Sequence, residues 1–168
     1  MSDHQLRSIT NRLNKFAKRD VPGARITATN KALAMAKTRT VKAIVKAADV
    51  KAKAVRPRVK VDRAKGANKG ALHVYRRAIP LIKLGARQNR KGVRAGKRFV
   101  QGGFIAQGRM KTAQVMRRKG RERLPVEVMR VEIRQHVDAI APKTVRRAFQ
   151  QNFNRLYQHE IKRRLSRG

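Results

Sequence analysis

The sequence of 168 residues contains neither cysteine nor tryptophan, and aromatic residues make up only 4% of it. The absence of cysteine excludes disulfide scaffolds, thiolate zinc sites and cysteine nucleophiles. The scarcity of aromatics leaves the five phenylalanines and the aliphatic residues to supply a thin hydrophobic core. Because oligomerisation is a common remedy for a marginal core, we expect an oligomer to be the working state.

Long apolar runs are absent as well. No stretch approaches the roughly 20 apolar residues that a membrane-spanning helix needs. The N-terminus, Met1-Ser2-Asp3-His4-Gln5, shows no apolar h-region, so we expect no signal peptide. We therefore expect a protein that is made in the cytoplasm and has no membrane partner.

Acidic residues are scarce, and this scarcity is the most informative feature of the chain. Nine acids stand against 45 lysines and arginines, which gives a formal net charge of +36. Between Asp62 and Glu122 there is no acid at all. Solubility alone needs a net charge of about 2–8 in a small domain. The missing counter-charge is therefore expected to come from outside, as phosphates or as an acidic protein surface.

The residue types of an active site do not occur in a usable pattern. The acids are scattered, and Gly102-Gly103 lacks the remaining residues of a phosphate-binding loop. The histidines show no ligand spacing, and we interpret them as solvated residues: His4, His73, His136 and His159. We expect no catalytic residue, no metal and no cofactor, and hence a protein that is not an enzyme.

Residues 1–64 are predicted to be helical. Leu6, Ile9, Leu13 and Phe16 share one face of a first helix that ends near Asp20. A second helix is expected from about residue 22 to residue 48. A shorter helical segment follows and is interrupted by Pro57, because proline in a helix interior costs about 3 kcal/mol.

Residues 71–134 are predicted to form a β region, because apolar residues there alternate or form short runs around residues 72–76, 79–84, 112–116 and 126–133. Turns are expected at Gly108 and at Lys119-Gly120. A C-terminal helix is predicted over residues 142–166, with Pro142 in its first turn. The fold class is α+β, with a small, mostly antiparallel sheet, in a single domain over residues 1–168.

A basic loop over residues 85–98 is the strongest functional signal. Six of the twelve residues 87–98 are cations, interleaved with glycine, which suits contact with a phosphate backbone. They show no base-reading pattern, and the alternative is a solvated, disordered loop. No aromatic interleaving indicates single-strand stacking, and we interpret Tyr75 and Phe99 as core residues. The candidate polyanion contacts are Arg87, Arg90, Lys91, Arg94, Lys97 and Arg98.

The order of motifs over residues 16–165 resembles the minor tail protein Z family, the tail completion proteins of lambda-like, long-tailed bacteriophages. The resemblance rests on the following segments: Val21-Pro22-Gly23-Ala24, Ile79-Pro80-Leu81-Ile82-Lys83-Leu84-Gly85, Gly103-Phe104-Ile105-Ala106-Gln107, Gln114-Val115-Met116-Arg117-Arg118, Gly120-Arg121-Glu122-Arg123-Leu124-Pro125-Val126-Glu127-Val128 and Ala148-Phe149-Gln150-Gln151-Asn152. Each motif alone is weak, whereas their order and spacing together are specific.

The resemblance implies a structural virion protein that acts late in tail assembly, at the head-proximal end of the tail or neck. It implies N-terminal helices, a sandwich-like sheet and a C-terminal helix, assembled into a ring that is expected to be a hexamer. The implied partners are the tail terminator, tail tube and head–tail connector proteins, together with the end of the packaged phage DNA. Assembly is expected in the host cytoplasm.

A second interpretation is a sequence-independent nucleic-acid-binding protein of ribosomal or chromatin-like type. Its charge would look much the same, and Lys51-Ala52-Lys53-Ala54 favours it. Neighbouring genes would distinguish the two interpretations. A tail nuclease is disfavoured, because carboxylates and histidines are not clustered.

Overall fold

A computed structural model describes residues 3–107 and 112–166, so that the turn predicted at Gly108 lies outside the described residues. The helices are α1 (Asp3–Lys15), α2 (Val21–Ala48), α3 (Ala52–Val55) and α4 (Arg134–Leu165). The strands are β1 (Val59–Asp62), β2 (Ala71–Val74), β3 (Ile79–Pro80), β4 (Arg87–Asn89), β5 (Gly92–Ala95), β6 (Arg98–Gln101), β7 (Phe104–Gln107), β8 (Ala113–Arg118), β9 (Val126–Val128) and β10 (Arg130–Val131). The predicted α+β class is confirmed.

The strands are divided among small sheets. Within the described ranges, β1 pairs with β2, β3 with β10, and two three-stranded sheets have the orders β4-β5-β6 and β7-β8-β9. Pairing is antiparallel in both three-stranded sheets and between β3 and β10. Strand β1 lies inside the predicted helical region 1–64. The prediction missed β1 because only four residues alternate there.

The helix boundaries differ from the prediction at two prolines. The backbone stays helical through residues Phe16–Asp20, a π-helical turn in which the N–H of Val21 donates to the carbonyl of Phe16. Pro22, which has no N–H, is accommodated just after this wide turn instead of ending the helix. Helix α4 begins at Arg134, eight residues before the predicted start, and Pro142 lies inside it.

Contacts along the chain divide it into two compact units. The first contains Met1–Thr40, Val59–His73 and Pro142–Gly168, and the second contains Val41–Arg58 and Val74–Ala141. Helices α2 and α4 each contribute residues to both units. In the first unit, α2 buries Ala24, Ala28, Ala32 and Ala36 completely. Because these alanines are four residues apart, they form one smooth face along the helix.

A buried carboxylate joins α2 to α4 in the first unit. The Glu160 side chain is 1% exposed, and its Oε1 accepts a hydrogen bond from Lys31 Nζ at 2.6 Å. Its Oε2 accepts from Arg163 Nη2, also at 2.6 Å. The hydrogen bond from Lys31 lowers the pKa of Glu160, and burial opposes this shift without overcoming it. Glu160 therefore stays ionised and links α2 to α4 through Lys31.

We expect the substitution Glu160→Gln to destabilise the protein. It removes a charge-assisted contact from a buried position and should lower the free energy of unfolding by about 1–3 kcal/mol. Glu132→Gln, at an exposed position, changes the net charge equally and should shift the free energy by no more than about 0.5 kcal/mol. Urea denaturation followed by circular dichroism compares the two variants. Equal losses in both would contradict the role of Glu160.

The stability that Glu160 contributes should depend on pH, and the direction of its pKa shift determines how. Because the folded protein lowers the pKa of Glu160, the stabilisation is fully present above the unfolded-state pKa of about 4.3. It is lost as the pH falls through the lower pKa of the folded state. The difference in melting temperature between wild type and Glu160→Gln should therefore narrow in acid, whereas a constant difference would contradict the assignment.

Candidate polyanion interface

Residues 87–101 form a three-stranded antiparallel sheet, so the prediction of a loop over residues 85–98 is wrong. In the first hairpin Arg87 lies opposite Arg94, and in the second Val93 lies opposite Val100. The first turn is closed by Asn89, whose Oδ1 accepts hydrogen bonds from the N–H groups of Lys91 and Gly92 at 3.1 and 2.9 Å. The alternation in this segment is hard to recognise because alanine occupies part of its inner face and glycine part of its outer face.

Gly92 makes the close approach between β5 and β6 possible. Its φ angle is 151°, and a Cβ atom at this position would lie 2.1 Å from the carbonyl oxygen of Val100. Any side chain at residue 92 would therefore separate the two strands. Gly92 therefore serves strand pairing, whereas the sequence interpretation assigned it to a loop.

The two faces of the sheet differ in character. Val93, Ala95 and Val100 are buried on one face. The opposite face carries Arg87, Arg94 and Phe99 in one row across the three strands. All three are exposed, and so are the amides that share this face, Asn89 and Gln101. The six predicted contact residues are therefore not equivalent.

Arg98 is used inside the protein. It lies opposite Ala95, and its Nη1 and Nη2 atoms donate to the carbonyl oxygens of Asp49 and Ala48, both at 2.7 Å. These carbonyls end α2, where backbone acceptors lack helical partners and the helix dipole attracts a cation. Arg98 therefore holds β6 against the end of α2. Nothing near Arg98 in the sequence indicates this contact, because its acceptors lie about 50 residues away.

Lys97 has an internal partner as well. Its Nζ lies 3.6 Å from a carboxylate oxygen of Asp49, and the two side chains are 85% and 56% exposed. An exposed pair of this kind contributes about 0–1 kcal/mol. Asp49 also has a positive φ of 47°, as is common for a residue that ends a helix.

Four of the predicted contacts remain turned to solvent. Arg87 and Arg94 project from the strands, and Arg90 and Lys91 form the turn between them. Among the described residues, no acidic side chain forms an ion pair with these four cations. Like charges directly opposite on neighbouring strands destabilise a sheet. An anion bound between Arg87 and Arg94 would remove this repulsion, so the pair is suited to an external anion.

Some cations elsewhere in the second unit have internal partners. Arg117 donates to Glu127 across β8 and β9 at 2.8 Å, and the Arg118 guanidinium lies 5.9 Å from the centre of the Phe104 ring. Arg58 donates to the backbone carbonyls of Ala54, Arg77 and Ala78, and its burial lowers the pKa of the guanidinium. The sequence alone did not distinguish these cations, which are bound within the protein, from cations exposed to an external partner.

The interpretation of Tyr75 and Phe99 as core residues is wrong. Tyr75 is 47% exposed and Phe99 is 44% exposed. Phe99 is turned outward because its neighbours Arg98 and Val100 both lie on the inner face of the sheet. The alternation of β6 was the signal that could have revealed this.

Helix α1 presents a second exposed surface. The predicted apolar periodicity is present, but Leu6, Ile9 and Leu13 are 48%, 44% and 64% exposed. Ile9, Leu13 and Phe16 line a cleft whose other side includes Leu165 of α4. The helix is correctly predicted. Its apolar pattern suggested burial, but Leu6, Ile9 and Leu13 stay about half exposed in the described part of the chain.

The described residues contain no group of three or more histidine, aspartate or glutamate side chains placed to hold a metal ion. In the same part of the chain, no helix combines the length and the apolar character that crossing a membrane requires.

Comparison with known proteins agrees with the motif order. Residues 6–167 match the family model of prophage minor tail protein Z. The chain is also 33% identical, over 146 residues, to the tail completion protein of Escherichia phage N15, with 79% of each chain covered. No solved structure matches significantly.

We expect Arg98 and Arg94 to respond differently to substitution. Arg98→Gln removes charged hydrogen bonds to two backbone carbonyls and should lower the free energy of unfolding by about 1.5–3 kcal/mol. Arg94→Gln, with the same change of charge, should shift it by no more than about 0.5 kcal/mol, since it also removes repulsion with Arg87. Chemical denaturation of both variants measures the difference. A larger loss of stability for Arg94→Gln would overturn the assignment of the two roles.

Proposed function

Because this chain belongs to the prophage minor tail protein Z family, we propose that it is a structural, non-enzymatic phage protein that acts in tail completion. The name of its relative from phage N15, tail completion protein, supports this role. The finer proposal is that it acts in the virion at the head-proximal end of the tail and joins the tail to the filled head. Since the family match extends through both compact units, they are proposed to work as one tail-completion domain, assembled in the host cytoplasm.

The observation that carries the proposal is the basic sheet face, by which we mean the four cations Arg87, Arg90, Lys91 and Arg94. They lie on a paired sheet and its turn, without acidic partners in the described residues. A rigid sheet holds the cations in place before binding, which reduces the entropic cost of association. We propose that this face meets the phosphates of phage DNA. An acidic surface of the tail terminator, tail tube or head–tail connector is the alternative that the first experiment distinguishes.

The exposed face of α1 supports self-association. A helix of 13 residues is marginal in water without packing, and burial of each leucine or isoleucine contributes about 1.5–3 kcal/mol. We propose that Leu6, Ile9 and Leu13 pack against a second copy of the chain, as one contact of a sixfold ring.

The first test replaces the basic sheet face. A variant with Arg87, Arg90, Lys91 and Arg94 changed to glutamine should fold normally but fail to complement a phage that lacks this gene. Filled heads and unjoined tails should accumulate in electron micrographs. A matched control changes Lys42, Lys143, Arg146 and Arg147, which are also exposed, and should complement normally.

Salt-dependent binding identifies the anion in the first test. A plot of log affinity against log salt concentration has a negative slope when phosphates are neutralised. If DNA is the partner, this slope should become shallower by about 0.9 for each phosphate that the variant no longer neutralises. Unchanged DNA binding combined with failed complementation would favour the acidic protein surface. Normal yields of infectious phage from the four-residue variant would refute both forms of the proposal.

The second test addresses self-association through α1. We expect wild-type protein in high salt, which screens repulsion between the basic subunits, to sediment as an oligomer. Leu6→Ser combined with Leu13→Ser should shift it toward the monomer. Asn11→Ser combined with Asn14→Ser, which changes the other side of the same helix, should not. An unchanged assembly in the leucine variant, or a monomeric wild type, would contradict this interface.

A further inference from the structure

Phe99 is an exposed aromatic ring set among cations. It lies directly opposite Arg94 on β5, and Arg94 lies opposite Arg87 on β4. Neighbouring strands are about 4.8 Å apart, so the three residues form a short row across the outer face of the sheet. The same face carries the neutral amides of Asn89 and Gln101 and no acid. A large apolar ring is thus held in solvent beside two guanidinium groups.

Four other aromatic rings have partners within their own unit. Phe149 stacks on Phe153, which stacks on Tyr157, with ring centres 5.3 and 5.7 Å apart. The ring of Phe104 lies beneath the Arg118 guanidinium. Phe99, in contrast, is 44% exposed. It lies on the outer face because its neighbours Arg98 and Val100 lie on the inner face of the sheet. The sheet therefore holds the Phe99 side chain on its exposed face, beside Arg94.

We propose that the outer face of the β4-β5-β6 sheet binds single-stranded DNA, with Phe99 stacking on an unpaired base while Arg87 and Arg94 bind the neighbouring phosphates. This inference rests on the proposed DNA contact and specifies its form. Stacking on an aromatic side chain is a general means of binding single strands, because every base has a π face. In a duplex the base faces are covered by neighbouring bases, so Phe99 has no equivalent surface to contact. The face should therefore bind unpaired DNA more tightly than paired DNA.

The experiment measures fluorescence anisotropy of labelled DNA with the purified full-length protein. Two probes are used: a short oligothymidine, and a hairpin-closed duplex with the same number of phosphates. Phe99→Leu keeps an apolar side chain but removes the π face, and Phe99→Tyr retains it. Arg94→Gln and Arg87→Gln remove cations that bind phosphate. Melting curves check that each variant is folded.

We expect Phe99→Leu to weaken oligothymidine binding about fivefold or more, since stacking contributes about 1–3 kcal/mol per base. Duplex binding should change less than about twofold, because stacking makes no contribution there. Phe99→Tyr should restore single-strand binding. The arginine variants should weaken binding to both probes and reduce its salt dependence.

The outcomes separate this inference from the proposed function. Suppose that the arginine variants weaken binding to both probes, whereas Phe99→Leu changes the two affinities equally or not at all. The single-strand site is then wrong and the DNA contact stands. If the arginine variants leave both affinities unchanged, or the wild type binds neither probe, the DNA contact itself is wrong and the single-strand site is wrong with it.

Discussion

The scarcity of acidic residues constrains every part of this protein, because nine carboxylates must serve 45 cations. Several of the nine form ion pairs within a unit: Asp20, Asp49, Glu127, Asp138 and Glu160. Glu160 is the clearest case, since it is buried and binds Lys31 and Arg163 together. The remaining cations must be accommodated without internal counter-charge. Where the sheet β4-β5-β6 places them side by side, the described residues supply no acidic partner for this charge.

Backbone carbonyls supply a second kind of internal partner. Arg98 binds the last carbonyls of α2, and Arg58 binds carbonyls at three other positions of the second unit. In these contacts an arginine links parts of the backbone without using an acidic side chain. They also separate the candidate contact residues into two groups. Arg98 builds the sheet, whereas Arg87, Arg90, Lys91 and Arg94 face outward from it. Residues of one three-stranded sheet thus have two roles: Arg98 holds the sheet in place, and the four outward cations carry the exposed charge.

Local patterns predicted helices α1 and α2, strand β8 and the α+β class, because helix periodicity and strand alternation are strong signals there. They did not predict burial. Leu6, Ile9 and Leu13 have the spacing of a packed face, yet the described part of the chain leaves them 44–64% exposed. Phe99 was assigned to the core because aromatic residues usually lie there. The partner of Arg98 could not be predicted, since a contact across about 50 residues depends on tertiary structure. The sheet over residues 87–101 was missed because Gly92 and Ala95 weaken its alternation.

The central claim is that phosphates outside the chain neutralise the basic sheet face. The most direct measurement is a cryo-electron microscopy reconstruction of the intact virion in which side chains are visible. We expect density for nucleic acid beside this face, with the guanidinium groups of Arg87 and Arg94 within hydrogen-bonding distance, about 2.7–2.9 Å, of phosphate oxygens. A reconstruction in which the face lies against acidic side chains of another tail protein, or is open to solvent, would contradict it.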